Sequence, residues 1–144
     1  MTTVRKSALV SYSAAQMFEL VDTIENYPQF LPWCRSATVL ERGDQIVKAT
    51  IVMAKGAVHK SFTTCNRRYP FERIELQLVD GPFRKLEGAW IFQALNEQAC
   101  KVSLELEFEF SSRVLKLAVG PVFHHIADTM VDSFCRRATQ LYGR

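Results

Sequence analysis

The three histidines and four cysteines are the first residues to examine for chemistry, because they are common metal ligands and nucleophiles. His124 and His125 are neighbours in a predicted helix, where adjacent side chains point about 100° apart and do not converge on one ion. The cysteines are spread almost evenly, without a C-x-x-C pair, at Cys34, Cys65, Cys100 and Cys135. This spacing favours free thiols over a zinc site or a disulfide framework. We therefore predict no metal site and no resident cofactor.

The glutamates of "LELEFEF" are the second candidate for chemistry. Glu105, Glu107 and Glu109 alternate with apolar residues, which is the two-residue period of a strand with one buried and one solvated face. The alternation favours an exposed row of charges over a pair of catalytic carboxylates. No serine or cysteine has the context of a nucleophile elbow, and no glycine pattern cradles a phosphate. The sequence predicts no catalytic residue and no enzyme.

The segment "TIENYPQFLPWCR", residues 23–35, places four bulky apolar side chains around two prolines. Because each proline removes a backbone donor and pushes the preceding residue out of the helical region, any helix here is short. We expect this proline segment to form a lid over a ligand. The alternative is a short helix packed onto a solid core. The four side chains are Tyr27, Phe30, Leu31 and Trp33.

The remaining chain shows a series of strand patterns that ends in one helical pattern. A first strand precedes a helix that opens with the capping box Ser13-x-x-Gln16,. Six alternating segments follow, with a hairpin at Gly43-Asp44, and the first strand adds a seventh to an antiparallel meander. The terminal helix is expected to cover this sheet with an apolar stripe formed by Val119, Phe123, Ile126, Met130, Phe134, Ala138 and Leu141,. Pro121 favours a separate or kinked helical segment at its start.

Length and composition set the wider limits. The chain has 144 residues, of which 48% are hydrophobic, and a net charge of +3. No linker or repeat divides it, so we predict one domain over residues 1–144. No apolar run approaches the ~20 residues of a membrane span. The start of the chain lacks the features of a secretory signal, and we expect a cytoplasmic location.

Four blocks of the sequence carry a family resemblance: "YPQFLPWC", "LVDGPFRKLEGAW", "LEFEF" and "GPVFHHIADTMVDSFCRRA". In order and spacing they resemble the coenzyme Q-binding branch of the START-like polyketide cyclase superfamily, whose bacterial members are also described as ribosome association toxins. The resemblance extends from Val4 to Tyr142. It implies an α+β helix-grip (START/Bet v-like) fold, in which a seven-stranded curved antiparallel sheet wraps around a long C-terminal helix and encloses an apolar cavity.

The resemblance implies ubiquinone, a polyprenyl quinone, as the bound ligand. At about 0.8 kcal/mol per methylene, each isoprene unit is worth roughly 4 kcal/mol of transfer from water, so a quinone needs a carrier to leave a membrane. We expect the headgroup to enter the cavity while the lid holds the tail near a membrane surface. The polar ends of Tyr27 and Trp33 are then expected to point at a quinone carbonyl. Inward-facing apolar residues are either core or cavity wall, and the pattern leaves both alternatives open. With the lid residues, the predicted wall comprises Met53, Phe83, Leu86, Trp90, Phe92, Phe108, Phe123, Ile126 and Met130.

The alternative function is binding of the large ribosomal subunit, which would block its joining with the small one, as the toxin name implies. Basic residues that could contact RNA phosphates are Arg67, Arg68, Arg84, Lys85, Arg113 and Lys116, together with Arg136 and Arg137,. Scattered solvated charges are the other interpretation of these residues, no RNA-recognition motif accompanies them, and no DNA partner is expected. Polyketide cyclisation, the third function, is disfavoured because the inward positions are almost all apolar.

Overall fold

A computed structural model describes residues 1–143 of the chain. Seven strands and two α-helices follow one another in the expected order. The elements are β1 (Thr2–Val10), α1 (Ala14–Asp22), a 3₁₀ helix (Ile24–Gln29), β2 (Cys34–Arg42), β3 (Ile46–Lys55), β4 (Val58–Tyr69), β5 (Arg73–Asp80), β6 (Phe83–Asn96), β7 (Ala99–Phe110) and α2 (Arg113–Tyr142).

All strands pair antiparallel in one sheet with the order β1-β7-β6-β5-β4-β3-β2. Strands β2 to β7 form a meander, and the last of them, β7, pairs with β1. The apolar face of the sheet packs against α2, and the buried side chains of both elements belong to a single core. The α+β helix-grip fold predicted from the sequence is confirmed.

The first helix begins where the sequence places its cap. The Ser13 hydroxyl accepts a hydrogen bond from the Gln16 amide, and the Gln16 side chain accepts one from the Ser13 amide. Both bonds satisfy backbone donors that lack a partner inside the helix. The helix is short because Thr23 leaves the helical conformation, and the 3₁₀ helix with its internal Pro28 follows directly.

Two glycines in the "DGPF" and "LEG" blocks occupy positions where a side chain would collide with the fold. Gly81 has φ +151°, and a Cβ there would lie 2.7 Å from the Cβ of Phe62. A Cβ on Gly88 would lie 2.0 Å from the Glu105 carbonyl oxygen of the neighbouring strand. Glycine therefore permits close approaches of the backbone that any other residue would prevent.

The terminal helix is one element of 30 residues that continues through Pro121. Of the two predicted alternatives, a separate or a kinked segment before Pro121, the separate segment is therefore wrong. Pro121 has no backbone N–H, so the Leu117 carbonyl four residues earlier lacks its helical hydrogen-bond donor. Both residues are exposed, and water can solvate this carbonyl. The apolar stripe also ends a turn earlier than expected, because Leu141 is exposed.

Candidate ligand cavity and cationic groove

The core encloses a cavity of about 70 Å³ between α2, the inner face of the sheet and the proline segment. Most of its wall is aliphatic or aromatic. The wall residues are Ile24, Tyr27, Trp33, Ala49, Ile51, Phe62, Thr64, Asn66, Leu76, Leu86, Trp90, Leu106, Phe123, Ile126, Ala127, Met130 and Phe134. The cavity is several times smaller than the roughly 300–1,000 Å³ of a typical small-molecule site. In this conformation it is too small for a quinone headgroup.

The proline segment contributes two of its four predicted residues to the wall, Tyr27 and Trp33. The Tyr27 hydroxyl donates a hydrogen bond to the Val21 carbonyl, at the end of α1. Burial raises the pKa of Tyr27, and the nearby Asp22 carboxylate adds to the effect,. Because its hydroxyl is bonded to the backbone, Tyr27 presents its ring and not its polar end to the cavity. This differs from the expectation that the tyrosine hydroxyl meets a ligand carbonyl.

The other two residues of the segment pack away from the cavity. Leu31 is buried in the core. The Phe30 ring lies edge-on to Phe134, with 5.1 Å between centroids, and the Arg137 guanidinium lies 5.3 Å from the Phe30 centroid. The segment is thus part wall and part solid packing.

The predicted residues on the sheet and α2 divide in the same way. Leu86, Trp90, Phe123, Ile126 and Met130 line the cavity. Outside the wall, Met53 is fully buried, Phe83 stacks on Phe110 at 5.0 Å, Phe92 contacts Phe18 at 5.6 Å and Phe108 contacts Phe123 at 4.8 Å between centroids. These four residues are buried in the core outside the cavity wall, and Phe108 also borders an open groove at the start of α2.

Two polar wall residues were missed by the sequence reasoning. Thr64 and Asn66 are 8% and 6% exposed, and the Thr64 hydroxyl donates a hydrogen bond to Asn66 Oδ1 at 2.8 Å. Their signal was present in "FTTCN", since they share a strand face with Phe62 by the two-residue period. The expectation of an almost entirely apolar interior needs this correction.

Arg68, predicted to contact RNA, lies in an ionic cluster with Asp22, Glu25 and Arg42. Its Nε and Nη2 each donate to one Asp22 carboxylate oxygen at 2.7 Å, and its Nη1 donates to the Asp44 carbonyl at 2.9 Å. The bonds to Asp22 raise the pKa of Arg68,. Arg42 pairs with Glu25 at 2.8 Å in the same cluster. Arg68 thus joins β4 to α1 and the β2–β3 hairpin.

A second group of cations surrounds an open groove of about 740 Å³ at the start of α2. This cationic groove is lined by Arg84, Arg113 and Lys116, beside His124. Arg84 lies 3.7 Å from Glu109. Arg113 and Lys116 are exposed and form no ion pair with any residue of 1–143. Their charges are therefore available to a partner.

Exposed apolar side chains accompany these cations on the first turns of α2. Val114 is 75% exposed and Leu117 is 73% exposed. The remaining predicted RNA contacts lie elsewhere. Arg67 is exposed near the end of β4, at the opposite end of the sheet from the groove. Lys85 lies between two carboxylates, 3.1 Å from Glu87 and 3.6 Å from Glu107. Arg136 and Arg137 lie near the C-terminal end of α2. The eight predicted residues therefore do not form one patch.

Residues 1–143 show no features of two other kinds of site. None of their helices is both long enough and apolar enough to cross a membrane. Nor do these residues contain a group of three His, Cys, Asp or Glu side chains able to hold a metal ion.

Residues 10–135 match the family described as polyketide cyclase/dehydrase and lipid transport. The chain belongs to this family. One family relative is the "Ribosome association toxin RatA" of Vibrio cholerae, 48% identical over 143 residues that cover 99% of each chain. A more distant one is the mitochondrial "Coenzyme Q-binding protein COQ10 homolog B" of Xenopus laevis, 25% identical over 96% of this chain and 59% of the relative.

Among solved structures, the fold of this polyketide cyclase family member is similar to that of the 18 kDa protein CC1736 from Caulobacter crescentus. The two chains superpose with a TM-score of 0.77 at 28% identity, and the match covers all of both. The superfamily expected from the four sequence blocks is confirmed.

Proposed function

We propose that this protein associates with the ribosome through the cationic groove, and that it binds the large subunit so as to hinder joining of the small one. The observation that carries the proposal is the pair Arg113 and Lys116, exposed and without ion-pair partners among residues 1–143. The relative named a ribosome association toxin, with 48% identity over nearly the whole chain, supports the same function. Action on ribosomes would place the protein in the cytoplasm.

The charges of the groove suit RNA phosphates. Each cation that neutralises a phosphate releases condensed counterions, so binding weakens as salt rises. Arg113 and Lys116 lie one turn apart on α2, and Arg84 on β6 adds a third cation at the same groove. This arrangement is expected to recognise RNA by shape and charge and not by base sequence.

Co-sedimentation with purified large ribosomal subunits tests the proposal. The variant Arg113→Glu/Lys116→Glu should lose binding at moderate salt, while the wild-type protein sediments with the subunits. The control Lys101→Glu/Arg136→Glu changes the net charge equally at exposed positions away from the groove, and it should keep binding. Unchanged co-sedimentation of the groove variant would contradict the proposal. Adding wild-type protein to a mixture of both subunits should reduce the fraction of joined ribosomes.

The interior cavity favours a second function, binding of a polyprenyl quinone such as ubiquinone. The relative named a coenzyme Q-binding protein and the apolar wall both support it. Because the cavity measures only about 70 Å³, the proline segment must move outward before a headgroup enters. Transient contact with a membrane surface would then deliver the tail.

Native mass spectrometry with organic extraction of the purified protein tests this second function. We expect a co-purifying prenylated quinone that is lost in Trp33→Ala, since Trp33 is one of the residues by which the proline segment forms the cavity wall. Absence of quinone in the wild-type protein, or equal retention by Trp33→Ala, would contradict it.

We also propose that the protein acts without catalysis. Thr64 and Asn66 could hydrogen-bond an oxyanion, but cyclisation also needs a group that exchanges protons near neutral pH. The wall contains no carboxylate, imidazole or amine, and burial raises the pKa of Tyr27 away from that range. Polyketide cyclisation is therefore the least supported function.

A further inference from the structure

Asn66 is an unusual residue for the middle of this sheet. It lies on β4 between Val47 of β3 and Leu76 of β5, and it is 6% exposed at the cavity wall. Its side-chain oxygen accepts a hydrogen bond from the Thr64 hydroxyl, whereas no residue of 1–143 accepts one from its Nδ2 group, which is not fully buried. Reversing the amide would only exchange the two ends, because Thr64 can bond to either. One polar end of the amide therefore always faces the cavity.

The unmatched group costs more at this position than an apolar side chain would. No side-chain nitrogen or oxygen atom of residues 1–143 is both fully buried and without a partner, so Nδ2 keeps some accessible surface, but a small and mostly apolar cavity hydrates it less well than bulk water does. Valine and leucine occupy the neighbouring inward positions of the two adjacent strands without this cost. The cost is removed when a molecule in the cavity supplies the missing hydrogen-bond acceptor.

The surrounding wall restricts what that molecule is. It presents no charged side chain, so a charged ligand would be desolvated without compensation. Aromatic rings form much of the wall, with Trp90 and Phe134 at 5.0 Å between centroids. These surfaces suit a flat, neutral, mostly apolar ring.

We propose that Asn66 is the hydrogen-bond donor by which the cavity selects neutral ring compounds that carry a carbonyl oxygen over hydrocarbons of the same shape. The ligand carbonyl accepts from Nδ2 in the amide orientation of this structure, in which the Asn66 oxygen accepts from the Thr64 hydroxyl. Ile51 and Met130 are only half-buried wall residues, and the ring enters on their side as the proline segment moves.

This site lies on the inner face of the sheet and is independent of the cationic groove. It deepens the quinone-binding function proposed above and shares its requirement that the cavity open. It does not require a polyprenyl tail, so a protein that retains no long-chain quinone can still select a small carbonyl ring.

The experiment uses duroquinone (tetramethyl-1,4-benzoquinone) and durene (1,2,4,5-tetramethylbenzene), which share an apolar ring frame and differ in the two carbonyls. Duroquinone has no free ring position for addition of a cysteine thiol. Each compound is titrated into the full chain and followed by ¹H–¹⁵N NMR shifts of the wall residues. The wild-type protein should bind duroquinone about tenfold more tightly than durene, the discrimination expected of one hydrogen bond.

Asn66→Leu should bind durene as the wild-type protein does and lose the preference for duroquinone. Asn66→Val, which also lacks the donor, serves if Asn66→Leu does not fold. The control Thr63→Val removes a hydroxyl from the outer face of the same strand, where Thr63 bonds Thr50 at 2.7 Å, and should keep the preference. A preference that persists without Asn66, or a wild-type protein that binds neither compound at the cavity, would overturn the proposal.

Discussion

The two arginine groups at opposite ends of the sheet differ in what their charges contact. Arg68, near the end of β4, is bonded through three nitrogens to Asp22 and Asp44. Arg113, at the start of α2, forms no ion pair with any residue of 1–143. Because neighbouring strands are antiparallel, the starts of β4 and β6 and the ends of β5 and β7 lie at one end of the sheet. Arg113 follows the end of β7 and lies at this end, whereas Arg68 is near the end of β4 and lies at the other.

This difference separates structural cations from cations that are available to a partner. A charge bonded on several sides must lose those bonds before it can bind a phosphate. A charge in water loses little except counterions. The comparison predicts that substitutions at Arg68 act on stability and that substitutions at Arg113 act on binding.

The largest expected effect is on the stability of Arg68→Met. Methionine keeps most of the apolar length and removes the charge, which leaves the mostly buried Asp22 without its main partner. We expect a loss of about 2–3 kcal/mol in the free energy of unfolding, measured by urea denaturation. The neighbouring Arg67→Met removes an exposed charge and should change stability by less than about 0.5 kcal/mol. Equal losses of stability in Arg68→Met and Arg67→Met would contradict the assignment of Arg68 as a structural cation.

Alkaline pH should lower the free energy of unfolding through the buried thiols and not through the ionic cluster of Arg68. Burial raises the pKa of Cys34 and of Cys100 from 9.0 to about 11,. From pH 9 to 11 the unfolded chain loses these protons and the folded chain keeps them, so stability falls as pH rises through this range. Arg68 stays charged throughout, because its bonds to Asp22 raise its pKa further above this range,.

Each thiol should contribute a loss of up to about 2 kcal/mol by pH 11. Urea denaturation at several pH values measures this slope. Cys34→Ala will alter stability at neutral pH by removing buried volume, but it should also make the alkaline slope shallower. A slope unaffected by Cys34→Ala would show that other groups cause the loss.

The fold could be predicted because the sequence shows both the two-residue period of the strands and the helical period of the terminal helix. The alternation in β7 and the capping box of α1 follow from backbone geometry and local hydrogen bonds alone. The pattern could not distinguish wall from solid core. Leu106 and Phe108 lie on one strand face, yet Leu106 lines the cavity while the Phe108 ring packs against Phe123.

Ion pairs between residues far apart in the chain could not be predicted from the sequence either. Arg68 and its partner Asp22 are separated by 46 residues, so no local pattern distinguishes Arg68 from its exposed neighbour Arg67. Thr64 and Asn66 follow the alternation of the buried face of β4, but polar residue types at such positions do not by themselves indicate burial. Which charges are free and which polar groups face inward depends on contacts between distant elements.

A smaller stability effect is expected at Arg42, the second arginine of the ionic cluster. Arg42 bonds Glu25 at 2.8 Å but lies 3.8 Å from Asp22, and both Arg42 and Glu25 are substantially exposed. Exposed pairs of this kind contribute about 0.2–1 kcal/mol. Arg42→Met should therefore cost less than 1 kcal/mol in urea denaturation and less again in 0.5 M salt. A loss as large as that of Arg68→Met would mean that the cluster stabilises as one unit.

The smallest stability effect and the clearest binding effect should occur together in Arg113→Gln. Removal of an exposed, unpaired charge should leave the free energy of unfolding within about 0.5 kcal/mol of the wild-type value. If Arg113 contacts one RNA phosphate, the slope of log affinity for large subunits against log salt should fall by about 0.9. Arg67→Gln removes the same charge at the far end of β4 and should leave that slope unchanged. Equal slopes for the two variants would mean that net charge, and not the groove, determines the interaction.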